Sequence, residues 1–200
     1  GSGSCVDQTG AKLLGISQYL KSGEFVPFSA TDIYRRRANK TGAGMAGTDA
    51  LDIIKSGVTL EALLPSQKLT DAQMTDVKVE KYKEQVGEVF KVSNYVIDPI
   101  QDIDAIASLI QTTGMGVIVW YYFANNGEWS EVPTIKGQLD VYGASTARHS
   151  VTAVDFTLHN GKKALIIDDS WGNAYGKAGQ RIITEDFHKV RNFFAAHLMN

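Results

Sequence analysis

The chain has 200 residues, of which 44% are hydrophobic and 21% charged, and its formal net charge is -2. This length and composition are typical of a globular protein that buries a sizeable core, as one domain or as two small lobes. Because there is no basic excess, we expect no nucleic-acid partner, and the longest apolar run, 117–124, is too short to span a bilayer. No signal peptide is recognisable and there is one cysteine, which is compatible with the cytoplasm but leaves the localisation open.

Helical patterns dominate the first half of the chain. Apolar residues fall on one helical stripe over 5–21, and Gly23 lies just beyond it as a stop signal. Ser29 and Thr48 are expected to cap a second and a third helix. The segment 77–83 alternates apolar and polar residues with a period of two, which predicts a strand.

Strand patterns dominate the second half. Asp102 is expected to cap one more helix, which Gly114 ends. Beyond it, apolar runs at 115–124, 151–157 and 164–168 predict buried strands. The change from helix to strand divides the chain near its middle.

The sequence therefore predicts an α+β fold with a helical N-terminal lobe over about 1–112 and an antiparallel, β-rich C-terminal lobe over about 113–200. We expect the two lobes to form a single domain over 1–200. Functional residues contributed by both lobes would then lie in the cleft between them.

A thiol, an imidazole and a carboxylate follow one another in the order Cys5, His149 and Asp169. This order and spacing suit a nucleophilic cysteine whose base lies far away in sequence and near in the fold. Cys5 is expected at the N-terminus of the first helix, where the positive end of the helix dipole favours a thiolate. Asp7 in the same turn suits the dipole, but its charge would oppose a second negative charge at Cys5.

Whether His149 and Asp169 can meet depends on the turn between two predicted strands. A two-residue turn at 160–161 pairs Thr152 with Asp169 and points His149 to the opposite face of the sheet. A three-residue loop, or a bulge with the same parity, pairs Val151 with Asp169 and makes His149 its diagonal neighbour on the same face. Diagonal neighbours are about 7–8 Å apart, which is within side-chain reach. A catalytic pair therefore requires the second register.

Several stretches resemble the papain-like cysteine proteases. The run Gly1-Ser-Gly-Ser-Cys5 at a helix start is similar to the active-site stretch of that family, although Gly-Ser-Gly-Ser is also typical of an artificial linker. Segment 148–156 resembles the histidine strand, and 167–176 resembles the Asn-Ser-Trp-Gly motif with the aromatic residue and glycine that follow. Segments 28–33 and 41–47 fall where the family has a helix and a substrate-binding loop. The similarity spans nearly the whole chain, and the joined histidine strand and Ser-Trp-Gly block is its specific part.

The resemblance implies a papain-like two-lobed fold with the active-site cleft between the lobes. It also implies the chemistry of the family, in which a cysteine thiolate attacks a peptide carbonyl and a histidine protonates the leaving amine. The implied residues are Cys5, His149 and Asp169 as catalytic, Trp171 and Ser170 as supporting, and Gly44, Gly47 and Ser150 as substrate-binding.

Three departures from the family pattern bear on activity. Ser2 and Val6 stand where the signature has a cysteine and an aromatic residue, and the disulfides of the family cannot form. Asp169 replaces the usual asparagine, and an aspartate can still accept from the imidazole and favour the imidazolium. The oxyanion glutamine of the family falls upstream of Gly1, whereas Gln8 comes too late to match it. Either an N-terminal part of the family domain precedes residue 1, as we expect, or half of the oxyanion hole is absent.

The sequence leaves three functions open. The first is hydrolysis of peptide or isopeptide bonds through a thioacyl-enzyme, with a peptide or protein as the substrate. The second is a catalytically vestigial papain-fold structural or interaction module of a larger assembly. The third keeps the nucleophile but uses another acceptor, such as an amine or a cell-wall peptide. We expect no cofactor and no metal, since His159, His188 and His197 lack the spacing of metal ligands.

Overall fold

The structure is a computed structural model that describes residues 3–98, 102–172 and 174–200. Its contacts divide the chain into two compact units. The first contains Gly1–Val96 and Leu198–Asn200, and the second contains Ile97–His197. Among the described residues, no helix is both long and apolar enough to cross a membrane.

Five helices form the first unit as far as it is described. They are α1 (Cys5–Ser22), α2 (Ala30–Arg35), α3 (Gly47–Ser56), α4 (Asp71–Asp76) and α5 (Lys81–Val89). Helices α1, α2 and α3 pack against one another, and α4 packs against α2. Their buried apolar side chains, among them Leu13, Ile33 and Leu51, form the core of the unit.

Local signals place the ends of the first two helices. Gly23 follows α1 in a left-handed conformation (φ 74°), and its N–H donates to the carbonyl of Tyr19. The Ser29 hydroxyl accepts from the backbone N–H of Asp32 and so caps α2. Both predictions are confirmed. The predicted Thr48 cap is wrong, because α3 already begins at Gly47 and has no side-chain cap.

The strand predicted at 77–83 is also wrong. Residues from Lys81 onward form α5, which packs closely on the segment that follows α3. A Cβ atom on Gly87 would lie 2.7 Å from the backbone nitrogen of Thr59, and the Thr59 hydroxyl donates to the carbonyl of Lys83 at 2.6 Å. These tertiary contacts outweigh a short alternating pattern, which is a weak local preference.

The second unit is built on an antiparallel sheet. The remaining elements are β1 (Asn94–Asp98), α6 (Ile103–Thr113), β2 (Val117–Ala124), β3 (Thr146–His159), β4 (Lys162–Asp168), β5 (Gln180–Thr184), α7 (Glu185–Arg191) and β6 (Asn192–Met199). The strand order is β1-β6-β2-β3-β4-β5. As predicted, Asp102 caps α6 and Gly114 ends it.

Helices α6 and α7 both pack on this sheet. They share a core with the strands that includes Ile106, Val119, Leu165, Ile167 and Phe187. Burying side chains of this size contributes about 1.5–3 kcal/mol each to stability. The contacts therefore assign α6 to the unit of the sheet and divide the chain at 96/97, whereas the sequence placed the change at about 112.

Candidate active site

Cys5 is the first residue of the 18-residue helix α1. Cys5 is half-buried. Its carbonyl oxygen accepts a hydrogen bond from the Thr9 hydroxyl, one turn further along the helix, at 2.7 Å. The first N–H groups of a helix have no acceptor within the helix, and together with the helix dipole they favour an anion at this position. The position is therefore suited to a thiolate.

Asp7, in the first turn of α1, is fully buried. Neither of its carboxylate oxygens has a hydrogen-bond partner on another of the described residues. Burial, assisted by the negative charges of Cys5 and Asp71, raises the pKa of Asp7 to about 9, although its own backbone N–H and the Arg37 charge lower it. Asp7 is thus neutral near pH 7. The repulsion between Asp7 and a Cys5 thiolate that the sequence suggested is absent there.

The 41–47 loop lies against the residues that precede Cys5. A Cβ atom on Gly3 would come within 2.3 Å of the backbone nitrogen of Gly44, so only glycine allows this approach. The N–H of Gly3 donates to Asp71 Oδ2 at 2.8 Å, and the N–H of Gly44 donates to the Tyr34 hydroxyl at 3.2 Å. Gly47, the other predicted substrate-binding glycine, begins α3. Residues 1 and 2 of the N-terminal motif lie outside the described residues.

The hairpin of β3 and β4 contains the bulge on which the predicted pair depends. Its turn is the two-residue Asn160-Gly161, with φ values of 49° and 77°, and it pairs His159 with Lys162. The register then shifts between Ala153 and Asp155, so that one strand contains one residue more than the other. The parity is therefore the one that the catalytic interpretation requires.

With this register, His149 and Asp169 meet on one face of the sheet. His149 Nε2 lies 2.6 Å from Asp169 Oδ1, and their side chains are only 4% and 1% exposed. The prediction that these two residues can contact each other is confirmed. Because Nε2 contacts Asp169, the other ring nitrogen, Nδ1, points away from the carboxylate.

The second carboxylate oxygen of Asp169 has two further donors. Arg181 Nε lies 2.7 Å from Oδ2, and the indole N–H of Trp129 donates to the same oxygen at 2.9 Å. Burial alone would raise the pKa of Asp169. The hydrogen bond and positive charge of His149, with the hydrogen bonds from Arg181 and Trp129, instead hold that pKa well below its usual range. Asp169 is therefore ionised near neutral pH.

Two indole rings pack against the imidazole. Trp129 meets His149 edge to face, with ring centroids 5.7 Å apart and planes at 88°. Trp171 lies 5.0 Å from the imidazole at 34° and is 44% exposed, so it forms the solvent side of the contact. Its predecessor Ser170 is exposed. Part of the predicted motif, residue 173, lies outside the described residues.

A buried ion pair holds the loop that contains Trp129. Glu128 accepts from the backbone N–H groups of Ala124 at 3.0 Å and Lys136 at 2.9 Å, and it pairs with Arg191 at 2.9 Å. Burial acts to raise the pKa of Glu128, but the Arg191 hydrogen bond and the two N–H groups lower it overall. Sequence reasoning did not identify Trp129, Arg181 or this pair as part of the site.

The remaining candidates lie away from the imidazole–carboxylate contact. Ser150 is fully buried, which places its hydroxyl away from solvent, and its substrate-binding role stays a prediction. His188 is buried against the Tyr121 hydroxyl at 2.8 Å, and burial lowers its pKa to about 4. Within the described residues, no group of three His, Cys, Asp or Glu side chains is arranged to hold a metal ion.

Comparisons with known proteins bear on the family and the fold of the chain. A family model described as papain family cysteine protease matches residues 2–192. A comparison with curated proteins gave no match. Among solved structures, xylellain, a cysteine protease from Xylella fastidiosa, is similar at a TM-score of 0.81 and 17% identity, over 98% of this chain and 79% of that one.

Two further solved structures are similar over the whole chain. The bromelain protease from Ananas comosus, solved in complex with the inhibitor E64, has a TM-score of 0.72 and 18% identity over 99% of this chain and 89% of that one. Digestive procathepsin L 3 from the larval midgut of Tenebrio molitor has a TM-score of 0.73 and 15% identity over 100% of this chain and 64% of that one. At these identities the likeness shows the fold, which is α+β and papain-like, as predicted.

Proposed function

Because the chain belongs to the papain family of cysteine proteases, we propose that it hydrolyses peptide or isopeptide bonds through a thioacyl-enzyme. Cys5 is the nucleophile, His149 the base and Asp169 the residue that orients the imidazole. The observation that carries the proposal is the buried 2.6 Å contact between His149 Nε2 and Asp169 Oδ1. It holds one ring nitrogen and so presents the other for proton exchange with the thiol.

In the proposed reaction, His149 Nδ1 takes the proton of Cys5, and the thiolate attacks the carbonyl carbon of the substrate. The carbon–sulfur bond forms as the carbonyl becomes an oxyanion, and the backbone N–H at the start of α1 is one donor to that oxyanion. The imidazolium then protonates the leaving amine as the carbon–nitrogen bond breaks. Water, deprotonated by His149, releases the acyl group as a carboxylic acid and restores the thiol.

Asp169 in place of the usual asparagine is compatible with this role. It accepts from the imidazole, and its low pKa keeps it an acceptor throughout the cycle. Trp171 packs over the ring and limits access of water to the contact. We further propose that Gly44 and Gly47 lie beside the bound peptide and that Ser150, which follows His149 in β3, contributes to the same substrate-binding site.

The first test is alkylation of Cys5 by iodoacetamide between pH 4 and 9, followed by mass spectrometry. Rapid labelling well below the ordinary thiol pKa of about 8.5 is expected, and it should be lost in His149→Ala. His159→Ala, which changes a partly exposed histidine at the end of β3, is the matched control and should label like the unmodified protein. Cys5→Ser should not label.

Labelling that rises only near pH 8.5 and ignores His149 would refute the nucleophile–base pair. It would leave the alternative of a papain-fold structural or interaction module without activity. If Cys5 is reactive, a library of peptides assayed with and without added amines separates hydrolysis from transfer to another acceptor. Formation of the free acid in both conditions supports the peptidase, whereas an amide product only with the amine supports transpeptidation.

A further inference from the structure

Asp169 is bound on both sides by groups that can carry positive charge. Its Oδ1 lies 2.6 Å from the imidazole of His149, and its Oδ2 lies 2.7 Å from Arg181 Nε. Arg181 is itself buried, with a side chain only 3% exposed. The positive charge of the arginine offsets the negative charge of the carboxylate, so the histidine meets less net negative charge than it would beside a carboxylate with no arginine.

Arg181 is held in place independently of Asp169. Its Nη1 donates to the carbonyls of Trp129 at 3.2 Å and Ser130 at 2.8 Å. Its guanidinium lies 5.4 Å from the Trp129 ring and 5.2 Å from the Trp171 ring. Both indole rings that pack against His149 are therefore also neighbours of the arginine, at distances typical of cation–π contacts. In β5 its backbone pairs with Ile167, two residues before Asp169. The arginine is thus a fixed part of the site.

From this geometry we propose that Arg181 is a positioning residue that neutralises Asp169, so that the carboxylate orients His149 with little net charge. This inference rests on the proposed function and deepens it. The papain-like family uses an uncharged asparagine at the position of Asp169. The Asp169–Arg181 pair is equivalent to that asparagine in two respects. Its carboxylate oxygen accepts from the imidazole, and the pair as a whole has zero net charge. Arg181 therefore sets how strongly the site favours the imidazolium.

The other charged and titratable groups on the elements around His149 have partners of their own. They are Asp168 with Gln180, Glu128 with Arg191, Arg148 over the Tyr122 ring, and Tyr121 with His188. Among the described residues, Arg181 is thus the cation that contacts Asp169 besides the imidazole. A Cys5 thiolate is the further charge that the proposed reaction adds.

Two substitutions should move the imidazole titration in opposite directions. Arg181→Gln leaves Asp169 with its full negative charge, which favours the imidazolium. A charge at this range shifts a titration by about 1–3 pH units, so we expect the midpoint of His149 to rise by at least about 1 unit. Asp169→Asn leaves the cation of Arg181 and should lower the midpoint. The double variant Asp169→Asn/Arg181→Gln removes both charges and should return it toward the original value.

The titration of His149 is followed by NMR of the imidazole in a Cys5→Ser background, with thermal unfolding to verify that each variant is folded. This readout does not require activity, so it remains informative if the chain proves not to be a peptidase. Arg181→Lys, which keeps the charge, should leave the midpoint nearly unchanged and serves as a second test if Arg181→Gln does not fold. In active protein, the alkaline limit of kcat/KM should move with the midpoint.

Folded Arg181→Gln protein with an unchanged midpoint would overturn the inference, as would equal shifts in Arg181→Gln and Arg181→Lys. Either result would assign Arg181 a purely structural role. Opposite shifts in the two single variants combined with an unreactive Cys5 would instead support the charge balance and refute the peptidase. The two proposals therefore fail separately.

Discussion

Replacing the buried Asp7 with asparagine should change how the stability of the protein depends on pH. Asp7 is fully buried without a hydrogen-bond partner on another of the described residues, and its pKa is raised to about 9 from an ordinary value of 3.8. Asparagine has nearly the same shape and never ionises. The variant therefore isolates the proton that the native carboxyl retains.

The sign follows from the two pKa values. Between about pH 4 and 9 the folded protein holds a proton on Asp7 that the unfolded chain releases, so folding becomes less favourable as the pH rises through this range. Each pH unit corresponds to about 1.4 kcal/mol, which gives a loss of about 4 kcal/mol by pH 7 as an upper value. The variant avoids this loss, but its buried amide lacks partners at a cost of about 1–3 kcal/mol.

Asp7→Asn should therefore be less stable than the original protein at pH 4 and more stable at pH 8. Urea unfolding at both values gives the free energies of unfolding, and only their difference between the two proteins matters. Asp76→Asn, at an exposed aspartate, is the matched control and should show no such crossover. A stability difference that is the same at pH 4 and pH 8 would show that the Asp7 carboxyl is not protonated in the folded state.

Three further substitutions test the supports of the site and of the fold. Glu128→Gln leaves Arg191 buried without its counter-charge and should lower the free energy of unfolding, measured in urea, by about 3–5 kcal/mol. The exposed control Glu131→Gln should change it by no more than about 0.5 kcal/mol. Equal effects of the two substitutions would contradict the buried pair. Trp129→Phe keeps an aromatic ring but removes the N–H that donates to Asp169, so the rate of Cys5 alkylation at pH 6 should fall about 10-fold. The N–H of Trp120 has no partner among the described residues, so the control Trp120→Phe should be alkylated at the normal rate. Ser29→Ala removes a helix cap and should lower the free energy of unfolding by about 1–2 kcal/mol, more than the exposed Ser22→Ala does.

Features decided by local chemistry could be predicted from the sequence. The left-handed Gly23 and the Ser29 cap follow from the residue types at those positions, and the order of Cys5, His149 and Asp169 indicated which side chains to bring together. The family resemblance supplied the fold, because its motifs are spread along the chain.

Features decided by tertiary contacts could not be predicted. Whether the hairpin used a longer loop or a bulge was left open, since a bulge has no residue type that marks it. Arg181 belongs to a strand of five residues that sequence reasoning did not identify, and Trp129 lies in the long connection between β2 and β3. The apolar pair Ile182-Ile183, which begins three residues after Gly179, was the one available signal for that strand.

The bulge in β3 constrains how this hairpin can gain or lose residues. Because side chains alternate between faces, deleting Val154 alone would turn His149 away from Asp169, and so would adding one residue to the turn at 160–161. Making both changes together restores the original faces. Single insertions and deletions between the two residues are thus disruptive, whereas compensated pairs are tolerated. Among related chains we therefore expect the length of this turn and the presence of the bulge to change together.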